Sequence, residues 1–328
     1  MEEIIKVHME GLKFGDIQIH KHVALIPIIN INGSGPDYWT MKEAMERNLL
    51  TVSEVSEGGH VPELKVSNMG DKPVLLLDGE ELSGVKQNRV LNTTILLREK
   101  SETTIPVSCT EHGRWSYGSS HFEESGYIMS ARLRSVKNAS VHENLKSDRT
   151  FRSDQGAVWD GIAFQARANK VNAPTGAMRD TLEAKQEDMD EFLSHFPIIP
   201  GQNGLIVMVN GKVIGMDIVS RTEAFAALHP KLIRSYVMDA LTEKPATGKT
   251  ASREKADAFL AEIKQCTENK FDSIGYGRDY RYEGKKIVGS MLLHDSTVIH
   301  MAFFQISAAE KAGHMSSVSR RRAYRTNQ

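Results

Sequence analysis

The densest reactive chemistry in the chain lies at residues 74–94, VLLLDGEELSGVKQNRVLNTT. An apolar run leads into three carboxylates, Asp78, Glu80 and Glu81. Lys86, Gln87, Asn88 and Arg89 follow, and then the amide of Asn92. Grouped carboxylates can hold a divalent cation or exchange protons, so Asp78, Glu80 and Glu81 are the candidate catalytic residues. A divalent metal is the one cofactor they suggest. Lys86 and Arg89 can neutralise a phosphate or carboxylate, while Gln87, Asn88 and Asn92 can read a base or sugar edge. The competing explanation is a turn whose charges pair between neighbouring strands. Alternation sets a limit, because residues two apart in a strand share a face. Gln87 and Arg89 then point one way and Lys86 and Asn88 the other, so only a loop would bring all four to one pocket.

Two further stretches carry polar groups at element ends. In SCTEHGRW (108–115) a strand exit presents His112, Arg114 and Trp115, a clamp and a stacking surface for a planar anion. Cys109 and His112 have the types of a nucleophile and its base, but no third group orients them. In RTFRSDQGAVW (149–159) Ser153 or Asp154 would cap a helix behind Arg149 and Arg152. A helix start of that kind accepts anions through its free N–H groups. Other matches lapse: the GKT at 248–250 lacks the upstream glycine of a phosphate loop, and the twelve histidines form no HExxH pair.

These groups need elements to hold them. Short branched runs at 4–9, 17–29, 63–68, 73–77, 89–97 and 103–108 read as strands, interrupted by a helix that Thr40 and Glu43 open as a capping box. Residues 111–152 show no clear period, and 130–152 hold six basic residues against two acidic ones. That reads as a basic connecting loop, either a solvated surface segment or an anion-facing flap. Helices are expected at 155–168 and 175–196, and Asn210-Gly211 marks a hairpin over 204–219. A helical stretch should break at His229-Pro230. Residues 243–250 form an exposed linker, Ser252 caps another helix, and 280–304 returns to strands. The expected fold is α+β. A β-rich subdomain of sandwich-like antiparallel strands (1–110) packs, through the 111–152 loop, on an α+β subdomain of helices and antiparallel hairpins (153–306). A flexible polar tail (307–328) ends in RRRAYRTNQ.

With 328 residues and 40% hydrophobic content, the chain can bury one large core or two ordinary ones. A net charge of -1 gives no global pull on nucleic acid or on a membrane surface. Two distant cysteines argue for a reducing compartment rather than a disulfide framework. The longest apolar run is too short to cross a bilayer, which takes roughly 20 residues. A cytoplasmic location is the expectation, and a small anionic, nucleotide-like ligand is the expected partner.

LLLDGEELSGVKQNRVLNTTILL (75–97), IPVSCTEHGRWSY (105–117), FRSDQGAVW (151–159), APTGAM (173–178) and HPKLIRSYVMDAL (229–241) together resemble one family. It is the ADP-ribosylglycohydrolase and rhodanese–phosphatase-superfamily-associated protein domain, and the resemblance runs from about Pro27 to Phe304. It implies a bacterial cytoplasmic protein and tilts the anionic ligand toward nucleotides or ADP-ribose derivatives. It transfers neither a reaction nor catalytic residues. The expected function is binding of a phosphorylated nucleotide or ADP-ribose-like compound, with hydrolysis as an extension of it. The alternative is a non-catalytic protein-interaction module in a stress or defence system.

Overall fold

The computed structural model describes residues 2–30, 35–56, 62–84, 86–113, 121–307 and 310–311. In chain order a helix α1 (Glu3–Glu10) precedes β1 (Leu12–Phe14), β2 (Gln18–His20), β3 (Val23–Asn30) and β4 (Trp39–Thr40). Helix α2 (Met41–Glu46) leads to β5 (Leu50–Glu54), β6 (Glu63–Asn68), β7 (Val74–Leu76) and β8 (Glu80–Gly84). Then come β9 (Arg89–Leu91), β10 (Ile95–Leu97), β11 (Ser101–Cys109) and β12 (Phe122–Ile128). Four helices follow: α3 (Ala131–Asp148), α4 (Gln155–Ala168), α5 (Met178–Ala184) and α6 (Gln186–Ser194). The hairpin β13 (Gln202–Val209) and β14 (Lys212–Val219) leads to α7 (Thr222–Thr242) and α8 (Arg253–Ile263). Strands β15 (Thr267–Asp272), β16 (Arg278–Glu283), β17 (Ile287–His294) and β18 (Thr297–Gln305) complete the chain.

The fold is α+β with a strand-rich N-terminal half, as expected. The largest sheet runs β1-β3-β13-β14-β18-β17-β16-β15, with β2 also on β3. It therefore joins the first strands of the chain to the last. A six-stranded sheet, β12-β8-β9-β11-β6-β5, and a small one, β10-β7-β4, carry the segment at 74–94. One apolar cluster packs α3, α4 and α7 on one face of the long sheet. A second lies beneath α1 and α8. A third fills the smaller sheets around Leu82, Leu91 and Val107.

Several expectations change. Residues 4–9 form helix α1, not a strand, because Ile5 and Met9 are buried one turn apart while Val7 is 54% exposed. A strand would have put 5, 7 and 9 on one face. The run 89–97 splits at Asn92-Thr93-Thr94, whose side chains turn inward to polar partners. The run 17–29 splits at Lys21, which has φ 52. The helix at 175–196 breaks into α5 and α6 at Lys185. Helix α7 passes through Pro230 unbroken, since Phe225 and Leu228 before it and Leu232 and Tyr236 after it share one core. That shared burial outweighs a proline cost of about 3 kcal/mol.

The main correction concerns 111–152, which is not a connecting loop. It contains β12 and the 18-residue α3, with twelve of the α3 residues buried. Its basic residues Arg134 and Lys137 are both 0% exposed. A helix surrounded by protein has no polar stripe, so periodicity gives no sign of it. Arg149, at φ 61, ends it in the left-handed conformation.

Asn210 (φ 50) and Gly211 (φ 65) make the expected positive-φ turn between β13 and β14. At the start of α4 the Asp154 side chain accepts the Ala157 N–H at 3.1 Å, whereas Ser252 occupies the cap position of α8 without a capping bond. Asp154→Ala should therefore cost about 1 kcal/mol and Ser252→Ala close to none, as read by urea denaturation. Equal losses would contradict these cap assignments.

Candidate functional site

The turn at 77–80 is shaped by Gly79 (φ 84), where a Cβ would meet the Arg134 side chain at 3.0 Å. This lets α3 lay its cations directly on Asp78. The Lys137 ammonium pairs with Asp78 Oδ1 and donates to the Leu91 carbonyl at 2.8 Å. Arg134 Nε reaches Asp78 Oδ2 at 3.4 Å, and its Nη1 and Nη2 grip Asp217 of β14 at 2.9 and 2.7 Å. Asp217 also accepts from the Tyr236 hydroxyl at 2.6 Å and contacts His300 Nε2 at 3.0 Å. Burial opposes both carboxylates' charge, but the neighbouring cations win. Asp217 falls to about 2, and Asp78 is also lowered by Lys137 and Arg134.

Thr94 Oγ1 lies 2.8 Å from His300 Nδ1 and accepts the Asp78 N–H at 3.1 Å. Thr94, His300 and Asp217 thus form a hydroxyl–imidazole–carboxylate chain like that of nucleophilic hydrolases. Its threonine is 5% exposed, with the oxygen engaged on both sides, so the chain joins strands rather than presenting a nucleophile. Beside it, Thr93 donates to Asp279 at 2.9 Å, and Arg281 pairs with Asp279 at 2.6 Å.

The three candidate catalytic carboxylates therefore have different fates. Asp78 is held by α3. Glu80 pairs with Lys231 of α7, which also meets Glu124 at 3.0 Å. Glu81 accepts the Thr110 hydroxyl at 2.8 Å, and burial pushes its carboxyl up to about 7 against the hydrogen bonds from Thr110 and Ser125. Among the described residues no group of three or more His, Cys, Asp or Glu is arranged to hold a metal ion.

The ligand-binding candidates partly converge. The register pairs Leu82 with Arg89 and Arg89 with Cys109 on one face, and Glu81 with Val90 and Val90 with Ser108 on the other. On the first face Gln87 Oε1 accepts from Arg89 Nη1 and from the Cys109 thiol, both at 3.0 Å. Arg89 is fully buried, yet among the described residues its Nε and Nη2 have no acceptor; Glu54 Oε1 stands 3.9 Å from Nη2, and both Glu54 oxygens also lack hydrogen bonds there. Glu81 lies across the sheet from that guanidinium. Lys86, Gln87, Asn88 and Asn92 are all buried.

The strand exit and the start of α4 meet this segment. Gln155 exchanges two 2.8 Å hydrogen bonds with the Cys109 backbone, Asn92 donates to the Phe151 carbonyl, and Ser108 bonds Ser153. His112 packs edge-on against Trp159, whose indole N–H is buried without a hydrogen bond. His112 therefore does not serve Cys109, whose thiol burial pushes up, away from thiolate. Arg149 and Arg152 are exposed. The first lies over Phe271 of the long sheet, its guanidinium 5.5 Å from the ring centroid. Arg114 and Trp115 lie outside the described residues, as do residues 320–322.

Sequence reasoning missed Arg134, Lys137, Asp217, Lys231 and His300. Their one sequence signal is their type: ionisable residues inside otherwise helical or branched runs.

Two outcomes follow from the ion pairs and the raised carboxyl. Asp78→Ala, which leaves Lys137 buried and unpaired, should destabilise by roughly 3–5 kcal/mol in urea denaturation, and a loss below about 1 kcal/mol would contradict the network. Glu81 contributes stability in its protonated folded form that is full below pH about 4.5 and lost as pH rises through about 7. Glu81→Gln should therefore flatten that part of the stability–pH curve and unfold at higher urea than the parent at pH 8. An unchanged slope would place the titration elsewhere.

No curated protein and no solved structure matches the chain. No helix among the described residues is long and apolar enough to cross a membrane. The model of the ARG and Rhodanese-Phosphatase-superfamily-associated Protein domain matches residues 11–304, a span that takes in every sheet and the whole ion network. The chain belongs to that family.

Proposed function

We propose that the protein binds a small anion, the phosphoryl part of a nucleotide or ADP-ribose-like ligand, at Arg89. The observation that carries this reading is a fully buried guanidinium with two N–H groups that have no acceptor among the described residues. A buried donor left unpaired costs roughly 1–3 kcal/mol, and a planar fork of donors suits phosphate or carboxylate oxygens. Gln87 fixes the fork through Nη1, leaving the other edge available. The meeting of 86–92, 108–113 and 151–159 supports the same reading. So does a family name that records association with ADP-ribosylglycohydrolase and rhodanese–phosphatase proteins.

The reading is one of binding. Asp78 and Glu80 already have cationic partners and Glu81 faces away from Arg89, while Glu54, 3.9 Å from its Nη2, serves as its counter-charge.

A thermal-shift series with ADP-ribose, NAD, AMP and pyrophosphate tests this. A ligand at 100 times its Kd adds about 2.7 kcal/mol and should raise Tm by a few degrees. Arg89→Gln should abolish the shift. No shift with any of the four, or an equal shift in the variant, would overturn the assignment.

A further inference from the structure

A separate cavity of about 340 Å³ opens between α3, α4 and α7. Of the stretches that meet around Arg89 it shares one residue, Ala157 at the start of α4. Leu133, Val136 and Ala157 give it apolar walls. Phe164 stands at its edge, 45% exposed, with the Arg132 guanidinium 4.8 Å from the ring centroid. Polar groups point in from two helices. Asp239 of α7, which accepts the Arg132 backbone N–H at 2.7 Å, and Gln165 of α4, only 4% exposed, both line it.

The charges around the space decide what it can take. Among the described residues Asp239, Asp160 and Glu310 line it against one cation, Arg132, which is already paired with Glu310 at 2.6 Å. An anion entering here would meet excess negative charge. A cation would find a carboxylate, a side-chain amide and an aromatic ring, the combination that recognises organic ammonium groups.

We propose that this cavity binds a small organic monocation with a flat apolar body, an arylalkylamine by class. Its ammonium sits against Asp239, its ring lies along Phe164 and the Leu133–Val136 wall, and Gln165 meets its polar edge. Burial pushes the Asp239 carboxyl up to about 7, opposed by the Arg132 N–H and charge and reinforced by Glu243. An amine near pKa 10 stays protonated throughout, so only the carboxylate titrates. Affinity should then tighten by roughly tenfold from pH 6 to pH 8.

Calorimetric titration of the full chain with tryptamine, and with its neutral analogue tryptophol, tests the proposal. Tryptamine should bind one to one at pH 8, and tryptophol at least about tenfold more weakly. Asp239→Asn should remove both the preference and the pH dependence. Phe164→Ser, at an exposed position that does not hold the core, should weaken tryptamine several-fold and keeps the test open if the other variant fails to fold. Equal binding of amine and alcohol, no binding of tryptamine at millimolar concentration, or parental affinity in Phe164→Ser would overturn it. None of these results depends on Arg89.

Discussion

Arg134 and Lys137, two cations on adjacent turns of one buried helix, are the constraint on which the rest of this molecule depends. They neutralise Asp78 in the turn before β8 and Asp217 in the long sheet, and Asp279 with Arg281 adds a balanced pair alongside. Moving such ions out of water costs several kcal/mol each, and the attraction offsets this only when every partner is in place. Three carboxylates and three cations drawn from β14, β16, α3 and the turn at 78 therefore admit essentially one arrangement of the two larger sheets about α3. Apolar contacts alone tolerate sliding; this geometry does not.

The same pairing decides which polar groups are left for ligands. Asp78 and Glu80, attractive as metal or proton-transfer residues, are the counter-ions of α3 and α7. Two places of different chemistry are the candidates for ligands: the Arg89 guanidinium on β9, and the Asp239–Gln165–Phe164 cavity on the helical face. The first offers donors to an anion, the second acceptors to a cation.

Much of the architecture was legible because it rests on local rules. The Asn210-Gly211 hairpin, the Thr40–Glu43 capping box and the Asp154-capped α4 each follow from a few adjacent residues. The family resemblance was likewise readable from long motifs such as DGEELSGVKQNR. Part of the site was legible too: 86–92, 108–112 and 151–155 do come together. The failures share one cause. Helix α3 is buried on nearly all sides and pairs its charges across 56 to 83 residues, so its segment looks polar and aperiodic when read alone. Pro230 was misjudged because local cost was weighed without the core that both halves of α7 share. The fates of Asp78, Glu80 and Glu81 hinge on partners and strand parity that no short window contains.

Native-state hydrogen exchange across 131–148 tests the central claim most directly. If the buried ion network fixes α3, its amides should exchange only through global unfolding, with protection matching the full stability of the protein. Exchange there at the rate of an exposed basic segment, while β13 and β14 stay protected, would contradict the account.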